Sequence, residues 1–346
     1  MWKYVLKRMG LALLTSFIIL SLTYLLIKCL PFERPIGMVE DQYAYYENQV
    51  ADGFVLSSPT PRPEFGELLF KYQIPGTNTT MHYYEKGAVA QYLQWMENIV
   101  TRWDWGVSSH IKMGVSASAI IAEQLTYTIR INIFATLISV PLGIILGIVA
   151  ALNKNNAIDH FLSTAVMIMT SIPSFVLITF LLLVFCYNNQ ILPSQWPADS
   201  APTNVKVLGF ILPICCLSFG SIAGYCRFVR AELCEVMSSE YLLLARTKGL
   251  TKRQAILRHA LRNAMVPIVP SILAEVIGLL GGSMILENLY GIPGIGRLYV
   301  TALNAKDYNV LFVDMAVFTT IGLLAGVVLD ISYGFIDPRI RMGAKK

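Results

Sequence analysis

Six long apolar runs constrain the fold of this chain more than any other feature of its sequence. A helix needs about 20 apolar residues to cross the roughly 30 Å hydrocarbon layer of a membrane. Hydrophobic residues make up 55% of the chain and charged residues only 14%, which is too apolar for an ordinary soluble domain. The predicted spans are residues 9–27, 131–153, 161–187, 207–226, 264–286 and 310–331. The sequence therefore predicts an all-α polytopic membrane protein with about six transmembrane helices.

The distribution of Lys and Arg predicts which side of the membrane each connecting segment occupies. Positively charged residues in short flanking loops are retained on the cytoplasmic side. With the N-terminus inside, the internal segments hold 16 of the 27 Lys and Arg residues, three of them before the first span. Both termini are therefore predicted to be cytoplasmic. The first apolar run is too long for a signal peptide and no small-residue cleavage site follows it, so it is predicted to remain as a helix.

One long segment separates the first two spans, whereas the other connections are short. Residues 31–125 are predicted to be external and carry 11 acidic and 6 basic residues, with Tyr in clusters. Because disordered linkers contain few aromatic residues, this segment is predicted to fold. It is either a compact cap on the external helix ends or a surface that binds an extracellular partner, and both can hold at once. The predicted domains are an N-terminal transmembrane helix (1–30), an extracellular insertion (31–113), a membrane domain (114–332) and a basic cytoplasmic tail (333–346).

The spacing of apolar and small residues predicts two further features. Residues 114–129 carry apolar side chains at helical spacing, which predicts an amphipathic helix on the external face before the second span. Glycines four apart lie on one face of a helix and let two helix backbones approach closely in lipid. The pairs with this spacing are Gly143 with Gly147, Gly220 with Gly224, Gly278 with Gly282, and Gly322 with Gly326.

Three carboxylates fall within the predicted spans. A charge at the centre of a bilayer costs about 2.5 to 3.5 kcal/mol, so Glu275, in the middle of the fifth span, should face water, a partner or a substrate. Two interpretations stay open: Glu275 lines a passage through the membrane, or it pairs with a neighbouring helix or a partner subunit. Asp314 and Asp330 are predicted to lie near the outer and inner ends of the last span, where hydration lowers the cost.

The internal segment 227–263 is the most informative stretch of the chain, with 8 basic and 3 acidic residues. A helix is predicted to begin at Ser238 or Ser239, whose hydroxyl caps it, and to stop at Gly249. Thr251 and Gln254 form a predicted capping box that opens a second helix into the fifth span. The leucines at 242, 243, 244 and 250 are predicted to be exposed. They need a partner surface, although a basic helix lying on anionic lipid headgroups is the alternative.

Several motifs follow one another along the chain. They are Pro141–Gly143 with Ala151 and Leu152, Ser171–Phe175, Glu240–Leu250, Leu257–Ala264 with Pro267, Gly281–Glu287 with Pro293–Arg297, and Asp337–Arg341. Taken together, these motifs are similar to those of the permeases of ABC importers and, more narrowly, resemble the B-type permeases of dipeptide, oligopeptide and nickel uptake systems. The likeness covers roughly residues 100–341 and the stretch before the first span.

This resemblance implies the ABC type-1 permease fold for residues 114–332 and a separate ATPase dimer that docks on the internal loop. The loop residues carried over as the ATPase-coupling element are Glu240, Tyr241, Ala245, Arg246, Lys248, Gly249, Leu250, Arg258, His259 and Arg262. Its predicted position in the middle of a span, and not the resemblance, makes Glu275 a candidate for the translocation path, where it could meet the ammonium group of a peptide. Because the sequence has no Gly-x-x-x-x-Gly-Lys-Ser/Thr phosphate loop, ATP and Mg are expected on the partner subunits and no cofactor in this chain.

The implied partners are a paralogous C-type permease, two ATP-binding subunits, a lipid-anchored or periplasmic peptide-binding protein, and membrane lipid, with no nucleic acid. The implied location is the inner or plasma membrane of a bacterium. The cargo stays open among a dipeptide, a longer peptide, a nickel chelate and glutathione.

Two rival classes of protein fit the sequence less well. A membrane-embedded enzyme needs a nucleophile or metal site, but the four His are isolated and neither His-Glu-x-x-His nor Gly-x-Ser-x-Gly occurs. The six Cys form neither a disulfide framework nor a spaced metal site, so no catalytic or metal-ligating residue is predicted. An ion-coupled secondary transporter usually shows internal repeats with broken helices in corresponding halves, and the sequence shows no such duplication.

Overall fold

The computed structural model of the chain describes residues 2–28, 35 and 37–336. The C-terminal motif Asp337–Arg341 and most of the predicted tail therefore lie outside the described residues. The helices in chain order are α1 (Trp2–Lys28), α2 (Val39–Ala51), α3 (Ala88–Arg102), α4 (Ala117–Leu152), α5 (Ala157–Ser171), α6 (Ser174–Leu181, extended by a π-helical turn Leu182–Asn188), α7 (Thr203–Met237), α8 (Glu240–Thr247), α9 (Lys252–Ala255, followed by a π-helical turn Ile256–Ala260), α10 (Leu261–Gly278), α11 (Met284–Tyr290), α12 (Ile295–Ala305) and α13 (Tyr308–Ile336). The strands are β1 (Val55–Ser58), β2 (Leu68–Gln73) and β3 (Thr80–Glu85).

Five helices of the described chain are long and apolar enough to cross a membrane, and the number is six if a bent pair of helices counts as one span. The pair is α5 and α6, which meet at an angle of 95°. The sequence predicted one span over 161–187 that contains Pro173, and the bend was not predicted. Pro173 explains the difference, because proline cannot donate the helical hydrogen bond and disfavours helical geometry at the residue before it. Ile172 accordingly has extended backbone angles, with φ −86° and ψ 116°.

The predicted amphipathic helix at 114–129 is wrong as a separate element. Its residues form the first part of α4, which runs without a break through the predicted second span. Helical spacing cannot reveal where one helix ends and the next begins when no Gly or Pro separates them.

The fifth span is shorter than predicted, and the surroundings of the two acidic residues in the sixth span differ from those predicted. The α10 helix ends at Gly278 rather than continuing to residue 286. In α13, Asp330 lies 3.1 Å from Arg8 of α1, and both side chains stay partly exposed, so a cation partner adds to the hydration expected at the helix end. Asp314 is fully buried, which contradicts the prediction that water reaches it.

The part of the chain between α1 and α4, called the sheet segment below, folds around a three-stranded antiparallel sheet in the order β1-β3-β2. Clustered tyrosines build its core: the ring of Tyr46 stacks on Phe70 at 5.0 Å and on Tyr83 at 5.5 Å. The hydroxyl of Tyr83 donates to the carboxylate of Glu47 on α2. The prediction that these residues fold is confirmed, and the sheet adds β-structure to a chain whose membrane-spanning part is all-α.

The contacts between Cα atoms divide the chain into two units. The first comprises 1–9, 126–297 and 321–346, and the second comprises 10–125 and 298–320. In the second unit, the buried carboxylate of Asp307 accepts from the hydroxyl of Ser108 at 2.5 Å and from the backbone N–H groups of His110 and Ile111 at 3.0 Å. These bonds fix the segment that leads from α3 into α4.

The first of the four predicted glycine pairs makes the expected close helix contact. A Cβ atom added to Gly143 would lie 2.5 Å from Cβ of Tyr225, and one added to Gly147 would lie 2.8 Å from the carbonyl oxygen of Cys226. The α4 and α7 backbones therefore meet at these glycines. Gly220, Gly224, Gly278, Gly322 and Gly326 have nothing within 4 Å of such an atom in the described chain, so the prediction is wrong for their helices within this chain.

Candidate functional site

The loop between α7 and α10 folds as two short helices joined by a tight turn, as predicted. The first helix, α8, begins directly after Ser239. Its predicted hydroxyl cap is wrong: the Oγ atom of Ser239 donates to the carbonyl of Val236 at 2.5 Å instead of accepting from a free N–H group of α8. Serine hydroxyls bond equally well to a carbonyl three residues earlier, and sequence does not distinguish these two bonds.

Gly249 ends α8, as predicted, in the left-handed backbone region. Its φ is +94°, and apart from its two chain neighbours no described atom lies within 4 Å of where a Cβ would stand. Its N–H donates to the carbonyl of Arg246 at 3.0 Å, and the N–H of Leu250 donates to that of Ala245 at 3.4 Å. These bonds satisfy two carbonyls that a helix end leaves free. The turn therefore needs a glycine for its backbone angle and not for space.

The predicted capping box at the next helix is confirmed. The backbone N–H of Gln254 donates to the hydroxyl of Thr251 at 3.3 Å, and the N–H of Thr251 donates to the side-chain oxygen of Gln254 at 3.2 Å. These reciprocal bonds fix the point at which the chain starts back towards the membrane. The backbone then forms a π-helical turn over Ile256–Ala260, which carries Arg258 and His259, before it continues as α10.

A small apolar core holds the loop against the spans. Leu242 is 5% exposed, so the prediction that it is exposed is wrong. It points inward because α8 must bury one side to remain attached, and a helix of this length has little stability alone. The buried residues packed with it are Ala151, Leu233, Ala255, Ile256, Ala260 and Ala264.

The opposite side of α8 presents an apolar surface to the surroundings. Leu243 is 63% exposed and Leu244 is 57% exposed, and Tyr241 is also exposed. A cleft of about 210 Å³ opens next to them, between the end of α7 and the first turn of α8. The charged side chains of Glu240, Arg246, Lys248, Arg258, His259 and Arg262 are all exposed, while Ala245 and Leu250 are half-buried. Tyr241, Leu243 and Leu244 thus form an apolar patch on α8, and the charged residues predicted for coupling lie in the same loop.

A buried ion pair near this loop was not predicted from the sequence. Asp159, at the start of α5, is 1% exposed and receives the guanidinium of Arg230 on α7 at 2.5 and 2.8 Å. The backbone N–H of Asn155 also donates to Asp159, at 2.9 Å. The pair therefore fixes the short α4–α5 link to the helix that carries α8. The signal in the sequence was weak, since a lone Asp in a short polar link is usually solvated.

Glu275 lies in the last turn of α10, which ends at Gly278, so the prediction that it lies in the middle of a span is wrong. It faces α7 within this chain. The hydroxyl of Ser221 donates to its carboxylate, and the hydroxyl of Tyr225 bonds to it as well. The side chain is half-buried. The two hydroxyls offset part of the cost of a carboxylate in the membrane. The two hydroxyls are partners on a neighbouring helix, as the interpretation of Glu275 as a paired charge required. The role of Glu275 in the translocation path stays a prediction.

Another buried carboxylate, that of Glu287 in α11, organises the turn that follows. It is 3% exposed, and its oxygens accept from the hydroxyl of Thr128 at 2.9 Å and from the backbone N–H of Arg297 at 3.1 Å. A Cβ atom on Gly294 would lie 2.4 Å from this carboxylate, so only glycine fits there. Burial outweighs these donors and raises the pKa of Glu287 above its ordinary value. The motif containing this residue was recognised, but its carboxylate was not identified as the centre of the turn.

Comparisons with known proteins place these features in context. Residues 143–342 match the family described as binding-protein-dependent transport system inner membrane component. The dipeptide transport system permease protein DppB of Lactococcus lactis is 32% identical over 345 residues, which is 99% of this chain and 100% of that protein. The oligopeptide transport system permease protein OppB of Haemophilus influenzae is 29% identical, over 99% of this chain and 100% of that protein.

A solved structure shows the same fold. The inward-facing MetNI methionine ABC transporter matches with a TM-score of 0.51 and 16% sequence identity. The match covers 64% of this chain and 97% of that chain.

Proposed function

Because the chain belongs to the family of binding-protein-dependent transport system inner membrane components, we propose that it is the permease subunit of an ATP-driven peptide importer. The observation that carries the proposal is the match to dipeptide and oligopeptide permeases over nearly the whole of both chains. Dipeptides or oligopeptides are the proposed cargo. This chain forms one half of the translocation path, and a paralogous permease forms the other.

The apolar patch on α8 is the proposed contact with the ATPase. Leu243 and Leu244 expose most of their surface, and covering such side chains contributes about 1.5 to 3 kcal/mol each. In the cytoplasm no lipid tail is available to cover them, so a partner protein does. The surrounding charges, including Arg246 and Lys248, orient that partner. The permease chain itself is proposed to hydrolyse no ATP; ATP and Mg bind to two partner subunits.

The core under α8 provides the mechanical link to the membrane. Leu242 packs with residues of α4, α7 and the start of α10, so a displacement of α8 moves those helices with it. Closure of an ATPase dimer on the patch is then transmitted as a rigid-body motion that opens the path on one side of the membrane. Arg230 and Asp159 extend this link to α5.

The proposal gives the protein a defined orientation in a bacterial inner or plasma membrane. Both termini and the α8 loop face the cytoplasm, where the ATPase binds. The sheet segment faces outward, where a lipid-anchored or periplasmic binding protein delivers the peptide. The excess of Lys and Arg in the internal segments supports this orientation.

The test compares wild type with Gly249→Asp in the complete transporter, reconstituted in nanodiscs with its partner subunits. The measurement is ATP hydrolysis stimulated by peptide-loaded binding protein. Because φ is +94° at Gly249, a side chain there strains the turn that presents α8. We expect stimulation to fall by about tenfold or more, which corresponds to roughly 1.4 kcal/mol of lost coupling.

Gly76→Asp is the matched control. Gly76 has a φ of +80°, and beyond its chain neighbours the described residues place nothing within 4 Å of its missing Cβ, but it lies in the turn between β2 and β3. The same backbone strain outside the loop should leave copurification of the ATPase subunits unchanged, whereas Gly249→Asp should weaken it. Full stimulation in Gly249→Asp would show that the loop is not the coupling element. If no ATPase copurifies and uptake follows a proton or sodium gradient, the importer function itself is wrong.

A further inference from the structure

The α3 helix buries polar side chains and exposes apolar ones, which is the reverse of an amphipathic helix in a soluble domain. Its most buried residues are Gln91, Trp95 and Asn98, which are 4%, 2% and 1% exposed. The side chain of Gln91 donates to the carbonyl of Lys86 at 2.6 Å, and that of Asn98 donates to the carbonyl of Asp52 at 2.9 Å. The polar side of α3 is therefore used to attach it to the sheet segment.

The outer side of α3 carries a continuous apolar stripe. Val89, Leu93 and Val100 are 71%, 62% and 75% exposed, and Trp103 directly after the helix is 73% exposed. With the half-buried Met96, these residues follow one another at alternating spacings of four and three, which places them on one helix face. Surfaces of this kind mark contact with a membrane or another protein.

Contacts with α1 give the depth of this stripe relative to the membrane. The hydroxyl of Tyr92 lies 2.7 Å from the hydroxyl of Ser21, and the ring of Trp95 lies 4.8 Å from that of Tyr24. The apolar span of α1 ends at Ile27. At 1.5 Å per residue, Ser21 and Tyr24 lie about 9 and 4.5 Å inside that end. Interfacial helices bury their apolar face to about 5–10 Å at the headgroup boundary.

The side of α1 near this contact has the exposure expected of a lipid-facing helix. Leu22, Leu25 and Leu26 are 55%, 45% and 69% exposed within the span. On α3, the stripe lies between Tyr92, which contacts α1, and the exposed Glu97 and Thr101. The stripe is thus flanked on one side by a membrane-spanning helix and on the other by charged and polar groups.

We propose that Ala88–Arg102 is an interfacial helix whose stripe inserts among phospholipid chains beside α1. The occupant is lipid, because the stripe lies at the depth of the last turns of the span and adjoins a lipid-facing surface. Trp103 then lies at the headgroup level, where indole rings are enriched. This helix anchors the sheet segment to the bilayer and holds it next to the end of α1.

Photocrosslinking of the complete transporter tests the inference. The photoreactive residue p-benzoylphenylalanine replaces Leu93 in one variant and Val100 in a second, so that poor assembly of one leaves the other informative. The matched control carries the photoreactive residue in place of Glu97, which is exposed on α3 beside the stripe and not part of it. Each complex is assembled with its binding protein in nanodiscs of phosphatidylglycerol and phosphatidylcholine, irradiated, and analysed by intact-protein mass spectrometry.

We expect a mass increase of one phospholipid at positions 93 and 100, at a yield several times that at position 97. An adduct with another protein subunit at position 93 would overturn the proposal and identify α3 as a docking surface. Lipid adducts at 93 and 100 no more frequent than at 97 would overturn it as well, because the stripe would then face water. Neither result depends on which cargo is carried, so failure here leaves the importer function standing.

Discussion

Glu275 is the carboxylate for which the structure sharpens the test most. The sequence placed it in the middle of a span, and the structure gives it the hydroxyls of Ser221 and Tyr225 on α7. These neutral donors leave its negative charge uncompensated among the contacts described. Such a charge can still attract the ammonium group of a peptide.

We predict that Glu275→Gln lowers uptake of peptides with a free N-terminus by about tenfold or more, since a bond to a charged group contributes about 1.5–3 kcal/mol. Uptake of N-acetylated peptides should change little. Tyr225→Phe and Ser221→Ala serve as controls, because they remove the hydroxyls and keep the charge. Transport assays in proteoliposomes measure the uptake of free and N-acetylated peptides by each variant. Equal uptake by Glu275→Gln and wild type, across peptides of differing charge, would mean that the residue does not act on the substrate.

Residues whose role depends on a distant partner were not predictable one at a time. Glu287 is a buried centre because Thr128, far away in sequence, and the backbone at Arg297 donate to it. Asp159 is buried because Arg230 reaches it. By contrast, the need for glycine at position 249 was predictable, because a helix stop after a basic turn is a local pattern.

At the scale of elements, contact between α4 and α7 distinguishes two kinds of glycine. Gly147 lies against the α7 backbone, whereas Gly220 faces open space within this chain. Alanine is favoured over glycine in a helix by about 1 kcal/mol when there is room for its methyl group. The spacing in the sequence was the same for both pairs, so only packing separates them.

We predict that Gly147→Ala destabilises the isolated chain by about 1–3 kcal/mol, the usual cost of overpacking. Gly220→Ala should leave its stability unchanged or slightly higher. Thermal unfolding of the purified chain in detergent, without partner subunits, measures both variants. A melting temperature for Gly147→Ala equal to that of wild type would contradict the close approach of these helices.

Local signals predicted some elements well and others poorly. The capping box at Thr251 and Gln254 needs only neighbouring residues, and it was predicted correctly. The break at Pro173 was underestimated, because neighbouring helices can also accommodate a proline in a straight span. The α3 helix was missed, since its apolar stripe faces outward and its polar residues are buried.

At the scale of the whole molecule, the orientation in the membrane is the next quantity to measure. The excess of Lys and Arg in the internal segments predicts that the sheet segment is outside and the loops are inside. Two exposed connections suit a reporter: Thr77, between β2 and β3, and Asn155, between α4 and α5. The domain boundaries at residues 30, 113 and 332 stay predictions.

We predict that alkaline phosphatase inserted at Thr77 is active in intact bacteria, because this enzyme matures only outside the cytoplasm. The same reporter at Asn155 should be inactive, and it serves as the matched control for expression. Activity assays together with immunoblots of the insertion proteins give the result. Activity at Asn155 and none at Thr77 would mean that the topology is inverted and that the α8 loop cannot meet a cytoplasmic ATPase.

The sequence by itself determined that the chain crosses a membrane about six times, because length and hydropathy decide whether a segment can span lipid. It also determined the helix stop at Gly249, because that signal lies in adjacent residues. Only the tertiary structure decided which leucine of α8 is buried, which glycines touch another helix, and which carboxylates are enclosed. Burial and helix contact depend on which residues of a neighbouring element pack against a side chain, and those residues are distant in sequence.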